Sequence, residues 1–265
     1  MNQHDLIVRE LLCPGNEKKL GCGGNGMNLT PRQKRILDQV VNVFETGSIL
    51  GDYSTITVDN SGPNRVRQIT YGRCRTTEHD KLRELICLYV NAGGIFTAQL
   101  APYVTKLGRD PLGDDEAFKN LLRDAGKHDA KMRHIQDLLF DKYYFTPAMT
   151  WADANQISLP LSALVIYDSY IQSGSMADFL CRRFAEVTPV SGGREKTWVE
   201  QYVAARDAWL ANHPNPVLHP TVYRTRCFQQ EIARENWNLS QLPIKIQGLE
   251  IFGAASDFIR RGQVA

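Results

Sequence analysis

The sequence predicts a mainly α fold (α+β) with one small β-hairpin. Three observations predict it. Apolar residues recur at helical spacing through most of the chain. Strand-like alternation is confined to one stretch between residues 53 and 71. Glycine, proline and asparagine clusters cut the helical pattern into segments of ordinary helix length.

The elements follow in order. Residues 1–28 end in Gly21-Cys22-Gly23-Gly24-Asn25-Gly26 and read as a flexible N-terminal arm or linker ahead of a single domain over 29–265. Thr30, Pro31 and Gln33 form a capping-box start. Ile36, Leu37, Val40, Val41 and Phe44 then make an apolar stripe, and Thr46-Gly47 ends the helix just after Glu45. Tyr53 to Val58 and Val66 to Tyr71 pair as a hairpin around the turn cluster Ser61-Gly62-Pro63-Asn64. A second helix, capped by Thr77 with Asp80 three residues on, runs through Leu82, Leu85, Ile86 and Tyr89. Helical spacing returns near 95–107, 115–124, 128–142, 151–172, 176–186, 195–211 and 221–235.

Composition narrows the function classes. With 265 residues, the chain is long enough for one large domain or two lobes. A net charge of only +2 argues against a dedicated nucleic-acid partner. No apolar run of the ~18 residues that a membrane span needs is present, so no membrane partner is expected. Met1 to Cys13 lacks the basic-then-apolar layout of a secretory signal. None of the six cysteines forms a Cys-x-x-Cys pair, so no structural metal is expected. Cys13 and Cys22 bracket a short loop and could join in a disulfide, and Cys87 fits a buried apolar position.

Chemistry centres on two carboxyl groups. Glycoside hydrolysis needs one carboxyl group to protonate the leaving oxygen and a second to activate water or attack the sugar. A glutamate ending a helix, followed by a hairpin bearing an aspartate, can set the two on opposite sides of a groove. Glu45 and Asp59 have that layout, and Thr70 on the returning strand could hold the attacking water. Asp52 is a rival for the second carboxylate, while Glu78 and Asp80 could simply cap the next helix. A Glu at a helix end with an Asp near a turn also occurs in many non-catalytic proteins, so spacing leaves the choice open.

Three stretches carry a family likeness. The first is Val40-Val41-Asn42-Val43-Phe44-Glu45, followed after the hairpin by Ile69-Thr70-Tyr71-Gly72. The second is Tyr144-Phe145-Thr146-Pro147-Ala148, running on to Ala163-Leu164-Val165-Ile166-Tyr167-Asp168. The third joins Tyr202-Val203-Ala204-Ala205-Arg206, Thr225-Arg226-Cys227-Phe228 and Asn238-Leu239. In this order, over roughly residues 31–252, the chain resembles the family 46 chitosanases of the lysozyme-like superfamily.

The resemblance implies a lysozyme-like helical fold of two lobes, with the hairpin beside the catalytic cleft. It implies an inverting β-1,4-glycosidase with Glu45 as general acid, Asp59 as general base and Thr70 near the water. In the family the threonine follows the aspartate within a few residues, whereas Thr70 lies eleven beyond Asp59, so an insertion in the hairpin is required. The resemblance also implies a charge network of Glu45, Arg226, Asp168 and Arg206. Tyr53 and Tyr71 are candidate sugar contacts, and Asp80 is a candidate partner for a glucosamine amine. No cofactor is implied.

Chitosan and peptidoglycan both remain as the polysaccharide partner. Arg65, Arg67, Arg73 and Arg75 around the hairpin suit an anionic glycan, although charges at strand edges are often only solvated. A muramidase-like cell-wall enzyme delivered by a phage or a secretion system is therefore the alternative, and a non-catalytic glycan-binding protein is a third reading. On any of these the chain is expected to be a monomer acting outside the cytoplasm, secreted or delivered.

Overall fold

The structure, a computed structural model, describes residues 27–255. The Cys13–Cys22 pair and nearly all of the expected arm lie outside the described residues. Two compact units are present. Residues 52–141 form one; residues 27–51 and 142–255 form the other.

In the second unit, helix α1 spans Pro31–Thr46. The Thr30 hydroxyl accepts from the Gln33 N–H, and the Gln33 side chain accepts from the Thr30 N–H. Gly47, at φ 68, closes the helix by donating to the Val43 carbonyl. That left-handed conformation is cheap for glycine alone. Ile36, Leu37, Val40, Val41 and Phe44 are buried, as the stripe required.

In the first unit, β1 (Ile56–Asp59), β2 (Gln68–Tyr71) and β3 (Thr76–Thr77) form an antiparallel sheet in that order. The third strand changes one expectation. Thr77 pairs with Thr70 and does not cap a helix; α2 (Leu82–Asn91) begins after Lys81 without a side-chain cap. Glu78 is buried and accepts the N–H groups of Ile69 and Leu112, so it ties the sheet to a loop and does not cap the helix. The remaining helices here are α3 (Thr97–Leu100), α4 (Glu116–His128) and α5 (Ala130–Phe140). The expected helix over 95–107 is mostly the 3-10 turn Ala101–Thr105, where Pro102 supplies no N–H.

The second unit continues with α6 (Thr146–Ala154) and α7 (Pro160–Ser173). Pro160 sits at the first turn of α7 and divides what the periodicity joined as 151–172. Residues 160–169 are buried on every face, so α7 is the central helix of this unit, packed against α1 and α6. Each large apolar side chain it buries contributes about 1.5–3 kcal/mol. Helices α8 (Asp178–Cys181), α9 (Glu195–Ala211) and α10 (Val222–Ala233) follow. Both α9 and α10 also pack on α7. A second hairpin, β4 (Ile244–Ile246) and β5 (Leu249–Ile251), closes the described chain and was not expected.

Gly126 in α4 faces the backbone of Tyr53, where a Cβ would overlap the Tyr53 carbonyl oxygen. A backbone atom cannot swing aside as a flexible side chain can. Gly126→Ala is expected to cost about 1–3 kcal/mol by overpacking. Urea unfolding checks this: an unchanged midpoint would show that the segment before β1 gives way freely.

Candidate active site

Glu45 lies in the last turn of α1, one-sixth exposed. The Phe44 carbonyl accepts the Tyr223 hydroxyl at 2.7 Å, and the Phe44 ring meets Tyr223 and Phe228 edge to face. Those contacts fix the backbone from which Glu45 projects. Arg224 holds the Glu45 carboxylate, with Nη1 at 2.9 Å from Glu45 Oε1 and its guanidinium 5.0 Å from the Phe44 ring centroid.

Behind Arg224 the charges alternate. Arg224 Nε donates to Asp168 Oδ1 at 2.9 Å, and Arg206 Nη2 donates to Asp168 Oδ2 at 2.7 Å. Arg206 also donates to Ser169 Oγ and to Gln172 Oε1. Asp168 is fully buried, and both arginines are nearly so. Burial opposes ionisation of Asp168, but the pull of Arg224 and then Arg206 outweighs it and holds the carboxyl below its ordinary range.

This corrects one expected residue. Arg226 is exposed and outside the network; Arg224 holds its place. Two residues turn a helix by about 200°, so Arg224 and Arg226 lie on opposite faces of α10. Arg224, Phe228 and Glu231 share the buried face at spacing i, i+4, i+7. That periodicity is the signal that marks Arg224, and motif matching passed over it.

Within the first unit, the strand register decides which groups meet. Asp59 pairs with Gln68, Thr57 with Thr70, and Thr70 with Thr77. Directly paired residues share a face, so Asp59 and Thr70 lie on one face as diagonal neighbours, roughly 7–8 Å apart. The eleven-residue gap is taken up by the tip at 60–67, which holds the 3-10 turn Pro63–Arg65 with Asn64 and Arg65 at positive φ. Thr70 is itself nearly buried.

Asp59 is exposed, and its Oδ1 accepts the Ser61 N–H at 2.9 Å. Gln68, which sequence reasoning missed, donates to Ser61 Oγ at 2.9 Å and supports that turn. Hydrogen bonds from the Ser61 side chain and backbone hold the Asp59 carboxyl below its ordinary value. Asp52 differs. Its Oδ1 accepts from the backbone of Ser54 and Thr55 and from Ser54 Oγ, and its Oδ2 accepts from Thr55 Oγ1. Both of its oxygens are occupied by local turn bonds.

The sugar-contact candidates separate in the same way. Tyr71 is wholly buried and its hydroxyl donates to the Leu122 carbonyl, so it is a core residue, contrary to expectation. As part of the inward-facing row of β2, it could point nowhere else. Tyr53 is half-buried, with its hydroxyl on Asp137 Oδ1 at 2.8 Å. Asp80 is exposed beside Lys81. Of the hairpin arginines, Arg73 is buried against Asp137, while Arg65, Arg67 and Arg75 are exposed.

The fold is that of solved glycan hydrolases. A family 46 chitosanase from Gynuella sunshinyii, in complex with chitotetraose, matches with TM-score 0.66 at 24% identity over 84% of this chain and 98% of that one. The native chitosanase of Bacillus subtilis MY002 matches with TM-score 0.68 at 22% identity over 85% of this chain and 100% of that one. A chitosanase of Bacillus subtilis (strain 168) is 27% identical over 243 residues, 84% of either chain. The sequence model of Glycosyl hydrolase family 46 matches residues 39–244, and the chain belongs to that family. It is a glycoside hydrolase, not a carbohydrate-binding module without activity.

Arg224 and Arg226 provide a paired test. Arg224→Ala leaves the buried Asp168 short of a partner and is expected to destabilise the protein by about 3–5 kcal/mol. Arg226→Ala is expected to stay within about 0.5 kcal/mol of wild type. Denaturant melts of both variants check this, and equal midpoints would refute the network as drawn.

Proposed function

We propose that the protein hydrolyses β-1,4 linkages of an amino-sugar polymer of the chitosan type, with inversion. Glu45 acts as general acid and Asp59 as general base. The observation that carries this reading is the buried row Glu45–Arg224–Asp168–Arg206 at the end of α1. Arg224 fixes the orientation of the Glu45 carboxyl group, and Asp168 offsets much of the arginine's charge. Glu45 gives its proton to the leaving oxygen. Asp59 takes a proton from a water that attacks the anomeric carbon, and Thr70, a near neighbour of Asp59 on the sheet face, helps to hold that water.

Asp59 suits the base role better than Asp52. Asp59 is exposed and uses one oxygen on Ser61, whereas Asp52 has both oxygens engaged. The glucosamine preference is supported by the chitosanase relatives, and Asp80 is an exposed carboxylate suited to an amine. Tyr53 offers a partly exposed ring to a sugar. A polymer of this kind places the reaction outside the cytoplasm, with the protein working as a monomer.

A second reading, peptidoglycan as substrate, is favoured by one observation. Arg65, Arg67 and Arg75 are exposed around the hairpin; among the described residues Arg67 meets Asp114 at 3.2 Å and Arg75 acts electrostatically on Asp59.

Asp59→Asn is expected to lower kcat on chitosan by about 10²–10⁴, the range for loss of a general base. Asp52→Asn should lower it less. The reverse order would move the base to Asp52. Proton NMR of the first product should show the α-anomer, since inversion at a β-linkage yields it; a β-anomer would refute inversion. The pH profile follows from the depressed Asp59. A base must be deprotonated, so activity is retained until pH falls through its folded value. The acid limb of kcat/KM should therefore lie below pH 3.8, the ordinary value. A limb near pH 5 or above would exclude Asp59.

A further inference from the structure

We infer that helix α10 and the β4–β5 hairpin form a binding site for a phosphate-sized oxyanion, separate from the Glu45 network. A cavity of about 180 Å³ opens between them, lined by the polar side chains of Arg226, Gln230, Lys245 and Gln247 together with Tyr223, Cys227 and the apolar Ile246. One water needs only about 10–15 Å³ of such space, so a group of several heavy atoms fits.

The polar part of the lining is cationic and amide-rich, with no carboxylate in it, and the rest is mainly apolar. Arg226 and Gln230 are one turn apart on the exposed side of α10, opposite the buried Arg224. Neither Arg226, Gln230 nor Gln247 has a side-chain hydrogen bond or ion pair among the described residues. A guanidinium with its donors uncommitted is suited to two parallel bonds to an oxyanion. Lys245 Nζ meets Glu250 at 3.4 Å, but both side chains are well exposed, and such pairs hold weakly. Lys245 can therefore turn to a ligand at little cost.

The hairpin holds its side of the cavity in place. Ile246 pairs with Leu249 across Gln247 and Gly248, at φ 49 and 83. Two residues at positive φ make the tight turn that matches strand twist, so Gln247 is presented by a stiff loop. Burial of Ile244 and Ile246 anchors β4 on either side of Lys245.

Nothing else in the lining competes for the cations. Burial pushes the Cys227 thiol well up, so it carries no negative charge. The Tyr223 hydroxyl is already donated to the Phe44 carbonyl. The oxyanion could come free from solution or as a phosphate, sulfate or carboxylate substituent on a glycan; the recognising chemistry is the same.

Calorimetric titration at constant ionic strength tests the site, with inorganic phosphate and glucosamine 6-phosphate as probes. Wild type should bind phosphate saturably at one site. The Arg226→Gln/Lys245→Gln variant should bind at least tenfold more weakly, with an unchanged thermal midpoint and unchanged chitosan hydrolysis in phosphate-free buffer. Tighter binding of the sugar phosphate would assign the site to a substituted glycan, and equal or weaker binding to the free anion. No saturable binding by wild type, or equal affinity in the variant, would overturn the proposal. Failure of chitosan hydrolysis in wild type would bear on the proposed chitosan substrate alone.

Discussion

The second unit is organised around one carboxylate that has no contact with water. Asp168 is fully buried on a helix whose neighbouring side chains are almost all apolar. An isolated charge there would cost many kcal/mol, so the fold must bring cations to it. Arg206 comes from α9 and Arg224 from α10, and each takes one carboxylate oxygen. Three helices are thereby held at a fixed separation and rotation by charge as well as by packing. The outer end of the row is Glu45, the proposed acid, so its carboxyl group inherits the rigidity of the core. Buried ion pairs are often poor sources of stability compared with apolar replacements. Under the proposed mechanism their value is orientation, because a carboxyl group acting as general acid must hold one geometry.

The other unit meets its requirement differently. Asp59 is left exposed and is shaped by a short turn, with Ser61 bonded to it and Gln68 bonded to Ser61. The inner face of the same sheet is apolar: Ile69 and Tyr71 are buried, and the Tyr71 hydroxyl is satisfied by a backbone carbonyl. Burial alternates along β1, where the exposed Thr57 and Asp59 alternate with the half-buried Ile56 and Val58, whereas all four residues of β2 are buried. A shift of register by one would exchange the two faces. Glu78 and the β3 pairing hold the register from the opposite edge.

Much of this was legible in the sequence where local rules act alone. The capping box at Thr30, the glycine stop after Glu45 and the first hairpin all followed from residues adjacent in the chain. Asp168 with Arg206 came from motif order and is a geometric pair. What escaped depended on contacts between distant residues or on helix rotation. Arg224 and Arg226 both sit in an arginine-bearing motif, and only the phase of the buried face of α10 separates them. Thr77 resembles a helix cap until Thr70 takes it as a strand partner. The β4–β5 hairpin rests on strands of three residues, too short to show a period. Tyr71 looked like a sugar platform because its burial depends on α4, some fifty residues away.

The central claim is that Glu45 drives cleavage of a glucosamine polymer. The direct measurement is mass spectrometry of products from chitosan and from peptidoglycan, incubated side by side with wild type and with Glu45→Gln. The account predicts glucosamine oligomers from wild type on chitosan and almost none from the variant. Muropeptides from wild type with chitosan left intact would contradict the substrate assignment, and undiminished cleavage by Glu45→Gln would contradict the acid.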